Sequence, residues 1–170
     1  MSNAVKDVGK LQITTPSDRE IAMIRAFDAP RVMVFEAFTK PELIKRWLGV
    51  FGKWKFEVCE VDLRVGGKYR YVWSGPDGAK LAMGGVYREI KRPERIVATE
   101  QFDDAWYEGN AVDTTVFVEK GGKTTVTTTV LYDSKEIRDN VLRSPMESGV
   151  AKSYDKLDEV LASMPAGAAK

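Results

Sequence analysis

The spacing of apolar side chains changes period three times along this chain, and each change marks a new kind of element. Ile21, Met23 and Arg25 alternate with Ala22, Ile24 and Ala26, which predicts a first strand. Pro30 suits a first helical position, where its missing N–H is no loss. Val34, Phe35 and Phe38 then recur at helical spacing, predicting a short helix over residues 30–39. Pro41 opens a second helix carrying Leu43, Ile44 and Trp47 and closed by Gly49. From Lys53 the period is two, and strands are expected over 54–63, 67–74, 80–91, 95–102, 111–119 and 123–132. Gly66-Gly67, Gly75-Pro76-Asp77-Gly78 and Arg92-Pro93-Glu94 mark turns between them, and Gly121-Gly122 a hairpin. The threonine-rich run Thr124 to Thr129 suits a pleated surface.

Helical spacing returns near the end. Met146, Val150, Tyr154, Leu157, Leu161 and Met164 fall at steps of three or four, a stripe that must lie against something apolar. Ser144-Pro145-Met146-Glu147 reads as a capping box, with Ser144 as cap and Glu147 reaching back. A shorter helix over 135–143 is expected after Ser134. Residues 1–18 are polar and read as a loose arm, 19–164 as one α+β domain, and 165–170 as a frayed tail.

A curved antiparallel sheet wrapped around a terminal helix leaves a space that side chains or a guest must fill. Tyr69, Tyr71 and Trp73 share one sheet face, with Arg70 and Val72 opposite. Met83, Tyr87, Phe102, Trp106 and Phe117 add large side chains on or near strands, and Trp47, Val150 and Tyr154 come from helices. Each taken singly reads as core. Together, inward tyrosines need partners for their hydroxyls, so the set suggests an amphipathic lining of the kind that receives a small molecule.

Composition removes more chemistry than it suggests. The chain of 170 residues has no histidine and one cysteine, Cys59. Ser-His-Asp and Cys-His nucleophiles are therefore excluded, a zinc site lacks its donors, and no internal disulfide can form. Cys59 reads as a buried small hydrophobe. No GxGxxG or Walker pattern occurs, and no cofactor is expected. Lys and Arg number 26 against 25 Asp and Glu, interleaved, so no basic face points to nucleic acid. No run approaches the ~18 apolar residues of a membrane span, and no signal peptide is recognisable, so the cytoplasm is the expected address. Asp103-Asp104 reads as a solvated loop. Acid–base chemistry is left to Asp, Glu, Lys or Tyr, with Glu60 and Asp62 sharing a strand face.

Several segments in combination resemble one superfamily. Arg25 to Arg31 through Val34-Phe35 is similar to the opening of the SRPBCC superfamily, with its START-like or Bet v 1-like fold. Thr39-Lys40-Pro41-Glu42-Leu43 to Trp47, Glu60 to Gly67, Gly75 to Gly78, Gly85 to Ile90 and Pro93 to Val97 narrow the likeness. With Met146-Glu147-Ser148-Gly149 and Leu157, they resemble the bacterial family named after the activator of the heat-shock protein 90 ATPase, over about residues 20–163. The resemblance implies a helix-grip fold with a cavity between sheet and C-terminal helix, and binding of hydrophobic or amphipathic small molecules. The family often has two tryptophans followed by Gly-Pro where this chain has Trp47-Leu48-Gly49-Val50, and an aromatic where Val150 stands. Both changes imply a reshaped pocket.

Three functions follow as expectations. The first is non-catalytic binding of a lipid-like or aromatic molecule. The second is a polyketide cyclase-like or hydrolase-like enzyme using a carboxylate such as Glu60, Asp62 or Glu89, or a tyrosine, in the cavity. The third is a chaperone-associated ATPase activator, suggested only by the family's name. A homodimer stays open, while nucleic acid and membrane are not expected partners.

Overall fold

The computed structural model describes residues 5–103 and 110–165. Among them nine strands form one antiparallel sheet in the order β1-β2-β3-β9-β8-β7-β6-β5-β4. Strand β3 (Glu20–Phe27) is followed by helices α1 (Arg31–Thr39) and α2 (Pro41–Ile44). Strands β4 (Lys55–Val61), β5 (Lys68–Ser74), β6 (Lys80–Lys91), β7 (Arg95–Phe102), β8 (Ala111–Lys120) and β9 (Lys123–Leu131) then run as a meander. The last of these returns to pair with β3, with Glu20 opposite Leu131 and Phe27 opposite Thr124. Helices α3 (Lys135–Arg143) and α4 (Met146–Ser163) close the chain. This is the helix-grip architecture expected from the sequence.

Three local expectations are corrected. Residues 5–14, expected as a loose arm, form a hairpin of β1 (Val5–Val8) and β2 (Leu11–Thr14), turned at Gly9 with φ of 61°. The reason is the single alternation of Leu11 and Ile13, which buries both side chains as β2 pairs with β3. Helix α2 stops at Ile44 instead of running to Gly49. Its continuation tightens into three-residue bonds, Arg46 N–H to the Leu43 carbonyl and Trp47 N–H to the Ile44 carbonyl. The capping box also does not form. Ser144 closes α3 instead, its hydroxyl donating to the Val141 carbonyl at 2.6 Å, and Pro145, which carries no side-chain acceptor, stands at the cap of α4. Glu147 pairs with Lys6. Only Ser144 and Pro145 separate α3 from α4, so the serine serves the helix that ends. Ser134 does cap α3, accepting from Ile137 N–H at 3.1 Å.

The apolar interior divides in two. One cluster joins Leu11, Ile21, Phe27, Val34, Phe35 and Phe117 to Tyr154, Leu157, Val160 and Leu161 of α4. The other, Ile44, Tyr69, Tyr71, Trp73, Tyr87 and Ala98, contains no residue of α4. On the first side Arg25, nearly fully buried, reaches from β3 to Asp158 and, at 3.4 Å, to Asp155. Its guanidinium also sits 4.8 Å from the Phe27 ring centroid. The rear half of α4 is thus clamped to the sheet.

Candidate functional site

Between the second cluster and the front half of α4 lies a chamber of about 830 Å³. Period-two alternation along β5 sends Tyr69, Tyr71 and Trp73 into it. Met83 and Tyr87 line it from β6, and Phe102 from β7. Val150 and Tyr154 line it from α4, and Trp47 from the turn after α2. Of the remaining expected wall residues, Phe117 is not on the wall. It packs under α1 against Phe35 and Phe38, ring centroids 5.4 and 5.3 Å away, because helix α1 covers that part of β8. Trp106 lies outside the described residues.

The loop after α2 holds the chamber open at a set width. Trp73 Nε1 donates to the Leu48 carbonyl at 2.9 Å, and Gly49 N–H donates to the Ser153 hydroxyl of α4 at 3.0 Å. A Cβ on Gly49 would stand 2.6 Å from Trp73 Nε1, and its φ of 70° also favours glycine. Phe38 and Trp47 form the partition between packed and hollow sides, with centroids 4.9 Å apart, and Trp47 Nε1 is anchored on the Ala37 carbonyl at 2.9 Å. The mouth is marked by exposed wall residues, Leu81 on β6 and Pro145, Ser148 and Lys152 beside or on α4. Lys152 Nζ lies 5.4 Å from the Phe51 ring centroid there.

Buried tyrosines have found partners, as their hydroxyls require. Tyr69 donates to the Thr99 carbonyl at 2.6 Å. Burial raises its hydroxyl pKa, assisted by the charges of Asp113 and Glu100. Tyr71 is likewise raised by burial, and bonds to Tyr87, whose own value burial pushes to about 12. Tyr154 is raised by burial to about 12, opposed by a hydrogen bond with Thr128. These phenols are neutral at physiological pH and present polar tips on an otherwise apolar wall. Cys59, half-buried behind the wall, is pushed by burial to about 11, so it is a thiol and not a thiolate.

The carboxylates considered from sequence are not in the chamber. Glu60, Asp62 and Glu89 are all exposed, Asp62 against Arg64 at 2.9 Å and Glu89 against Arg95 at 2.6 Å. Asp103 is also outside, held by Arg70 through two contacts of 2.5 Å that keep its pKa below the ordinary value, and Asp104 lies outside the described residues. The carboxyl groups that do line the wall are Glu100 and Asp113. Ala98 and Asp113 are cross-strand partners, so Glu100, two residues on, is the diagonal neighbour of Asp113 on the same face. Sequence reasoning missed them although the signal was present. Alternation back from Phe102 gives Glu100, and alternation back from Phe117 gives Asp113.

Burial raises the Asp113 carboxyl well above the usual range, followed by the Glu100 charge and a hydrogen bond to Glu100. Among the described residues no group of three His, Cys, Asp or Glu is arranged to hold a metal ion. No helix among them is long and apolar enough to cross a membrane.

Comparison with known proteins places this geometry. The family model for activator of Hsp90 ATPase homolog 1-like protein matches residues 28–162. No curated protein matches the chain. Among solved structures, a protein from Rhodobacter sphaeroides is 28% identical, with a TM-score of 0.86 over 91% of this chain and 99% of that one. Protein CV1439 from Chromobacterium violaceum is 27% identical, with a TM-score of 0.71 over 85% and 98% of the two chains. An HSP90 activator from Plasmodium falciparum is 27% identical, with a TM-score of 0.50 over 66% of this chain and 72% of that one.

Proposed function

The chain belongs to the family of activator of Hsp90 ATPase homolog 1-like proteins, and from that premise we propose that it binds a hydrophobic or amphipathic small molecule, lipid-like or aromatic, without transforming it. One observation carries the reading: the chamber of about 830 Å³ has Tyr69, Tyr71, Trp73 and Tyr87 on one wall and Met146, Val150 and Tyr154 as the large apolar or aromatic side chains that α4 turns to it among the described residues. Small-molecule pockets run from about 300 to 1,000 Å³ and combine an apolar lining with a few polar tips. Both properties are met here. Glu60, Asp62 and Glu89, the carboxylates expected to serve a cyclase-like or hydrolase-like activity, are exposed, and the acids on the chamber wall are Glu100 and Asp113.

Native mass spectrometry after mild purification is expected to reveal a retained mass. Trp47 and Trp73 stand in the wall, so titration with apolar aromatic probes is expected to quench or shift their emission. Refusal of every apolar probe, with no retained mass, would overturn the reading.

The family description and the Plasmodium neighbour favour a second reading, in which the chain stimulates a chaperone ATPase. Adding the purified chain to the chaperone in an ATPase assay tests it. An unchanged rate over a range of ratios rejects it.

A further inference from the structure

Three charged side chains line the chamber: Glu100, Asp113 and Lys152. Lys152 is exposed at the mouth beside Phe51. The two acids belong to neighbouring strands deeper in the wall, and among the described residues neither forms an ion pair. Asp113 Oδ1 is covered by protein and has no hydrogen-bond partner. Buried acids ordinarily face a cation or a set of N–H donors. Among the described residues this pair forms no ion pair, and Asp113 Oδ1 accepts from no donor.

Apart from Lys152, no lysine or arginine among the described residues lines the chamber. β5 presents Tyr69 and Tyr71, β6 presents Tyr87 and α4 presents Tyr154, all neutral phenols. The Tyr69 hydroxyl already donates to the Thr99 carbonyl and that of Tyr71 is engaged with Tyr87. Arg25 on β3 is turned away to Asp155 and Asp158. Thr115 and Thr128, also on the wall, bond to each other at 3.2 Å. Among the described residues no group of three His, Cys, Asp or Glu is arranged there to hold a metal ion. A positive group that brings its own N–H donors and an apolar body meets the requirement.

We propose that the guest is an amphipathic amine, whose ammonium group lies against the Glu100–Asp113 pair while its apolar body fills the aromatic half of the chamber. The inference rests on the ligand-binding reading and names the chemistry of the guest. The ammonium donates to carboxyl oxygens of both residues.

The test compares three probes with one body: 2-naphthylmethylamine, 2-naphthalenemethanol and 2-naphthoate, each titrated against tryptophan emission at neutral pH. A hydrogen bond to a charged group is worth about 1.5–3 kcal/mol, so the amine is expected to bind ~10–100-fold tighter than the alcohol. The naphthoate is expected to bind weakest. Glu100→Gln and Asp113→Asn, which keep size and shape, are expected each to shrink the preference for the amine over the alcohol. Lys152→Ala is expected to keep it. If the alcohol matches the amine, or the preference survives in the Glu100→Gln/Asp113→Asn double variant, the inference is overturned and the chamber reading stands. If none of the three binds and no apolar probe does, the chamber reading itself has failed.

Discussion

The two halves of helix α4 rest on different foundations. Toward its C-terminus, Leu157, Val160 and Leu161 are buried in one continuous cluster with Leu11, Phe27, Val34 and Phe35. Toward its N-terminus, Met146 and Val150 are only half-buried and face a chamber, beyond which stands a second cluster with no α4 residue in it. The same stripe therefore does two jobs. The rear half provides stability, since close-packed contacts are lost outright when a gap opens. The front half, whose Met146 and Val150 pack only partly buried against the same cluster, is joined to the opposite wall through hydrogen bonds, Gly49 to Ser153 and Trp73 to Leu48. A binding site in a small domain needs this division, because the space for a guest must be surrounded by parts that do not need it filled.

The contrast can be broken most directly from the packed side. Phe35→Ala should destabilise the fold by about 3–5 kcal/mol, as truncation of a buried aromatic does, read as a lower denaturant midpoint with an unchanged slope. At matched folded fraction, probe affinity should be unaltered, whereas Tyr154→Ala, on the shared boundary, should weaken binding. Equal binding loss in both variants would mean that the two regions are not separate.

Removing the clamp comes next. Arg25→Met deletes the contacts to Asp155 and Asp158, and the loss of one charged hydrogen-bonding group should cost about 1.5–3 kcal/mol. Hydrogen exchange should quicken in the rear turns of α4 first. Faster exchange confined to the front turns would reverse the assignment of the two halves.

On the hollow side the expected effect is on binding. Val150→Trp places a large ring where the chamber has room, so affinity for apolar probes should fall about tenfold or more, roughly 1.4 kcal/mol. Stability should stay within ~1 kcal/mol, less than the cost of overpacking a filled core, which runs ~1–3 kcal/mol. A loss as large as that of Phe35→Ala would show that the front half is packed after all.

The smallest effect concerns pH. Burial raises the Asp113 carboxyl, so the folded protein keeps a proton that the unfolded chain releases above about pH 4. The resulting stabilisation is complete below the unfolded value and is lost as pH rises through the raised folded one. Asp113→Asn should flatten the fall in stability between acid and neutral pH, measured as urea midpoints across that window. An unchanged slope would remove Asp113 from the explanation.

Much of this molecule was legible in the order of its residues. Strand β5 was readable because Tyr69, Tyr71 and Trp73 repeat with period two, and α4 because its stripe repeats at three and four. Nearly every turn carried glycine or proline at the required place. The β1–β2 hairpin escaped because only Leu11 and Ile13 carry its inward face, too short a pattern to stand out from a polar segment. The Ser144 cap was misjudged because the two helices on either side compete for it. Phe117 and Asp113 illustrate the harder limit. They lie on the same face of β8, four residues apart, and alternation treats them alike, yet one is sealed under α1 and the other faces the chamber.

Residue order by itself determined which elements form and which side of each is turned inward, because those are consequences of bond geometry and of short-range repetition. Only the tertiary structure decided how far apart the inward sides stand. That separation depends on the bulges that bend β4 and β6, on the loop joined to both Trp73 and Ser153, and on the Phe38–Trp47 partition. These are contacts between residues distant in the chain, and so no local pattern carries them. The hollow, and the meeting of Glu100 and Asp113 on its wall, arise from that distance.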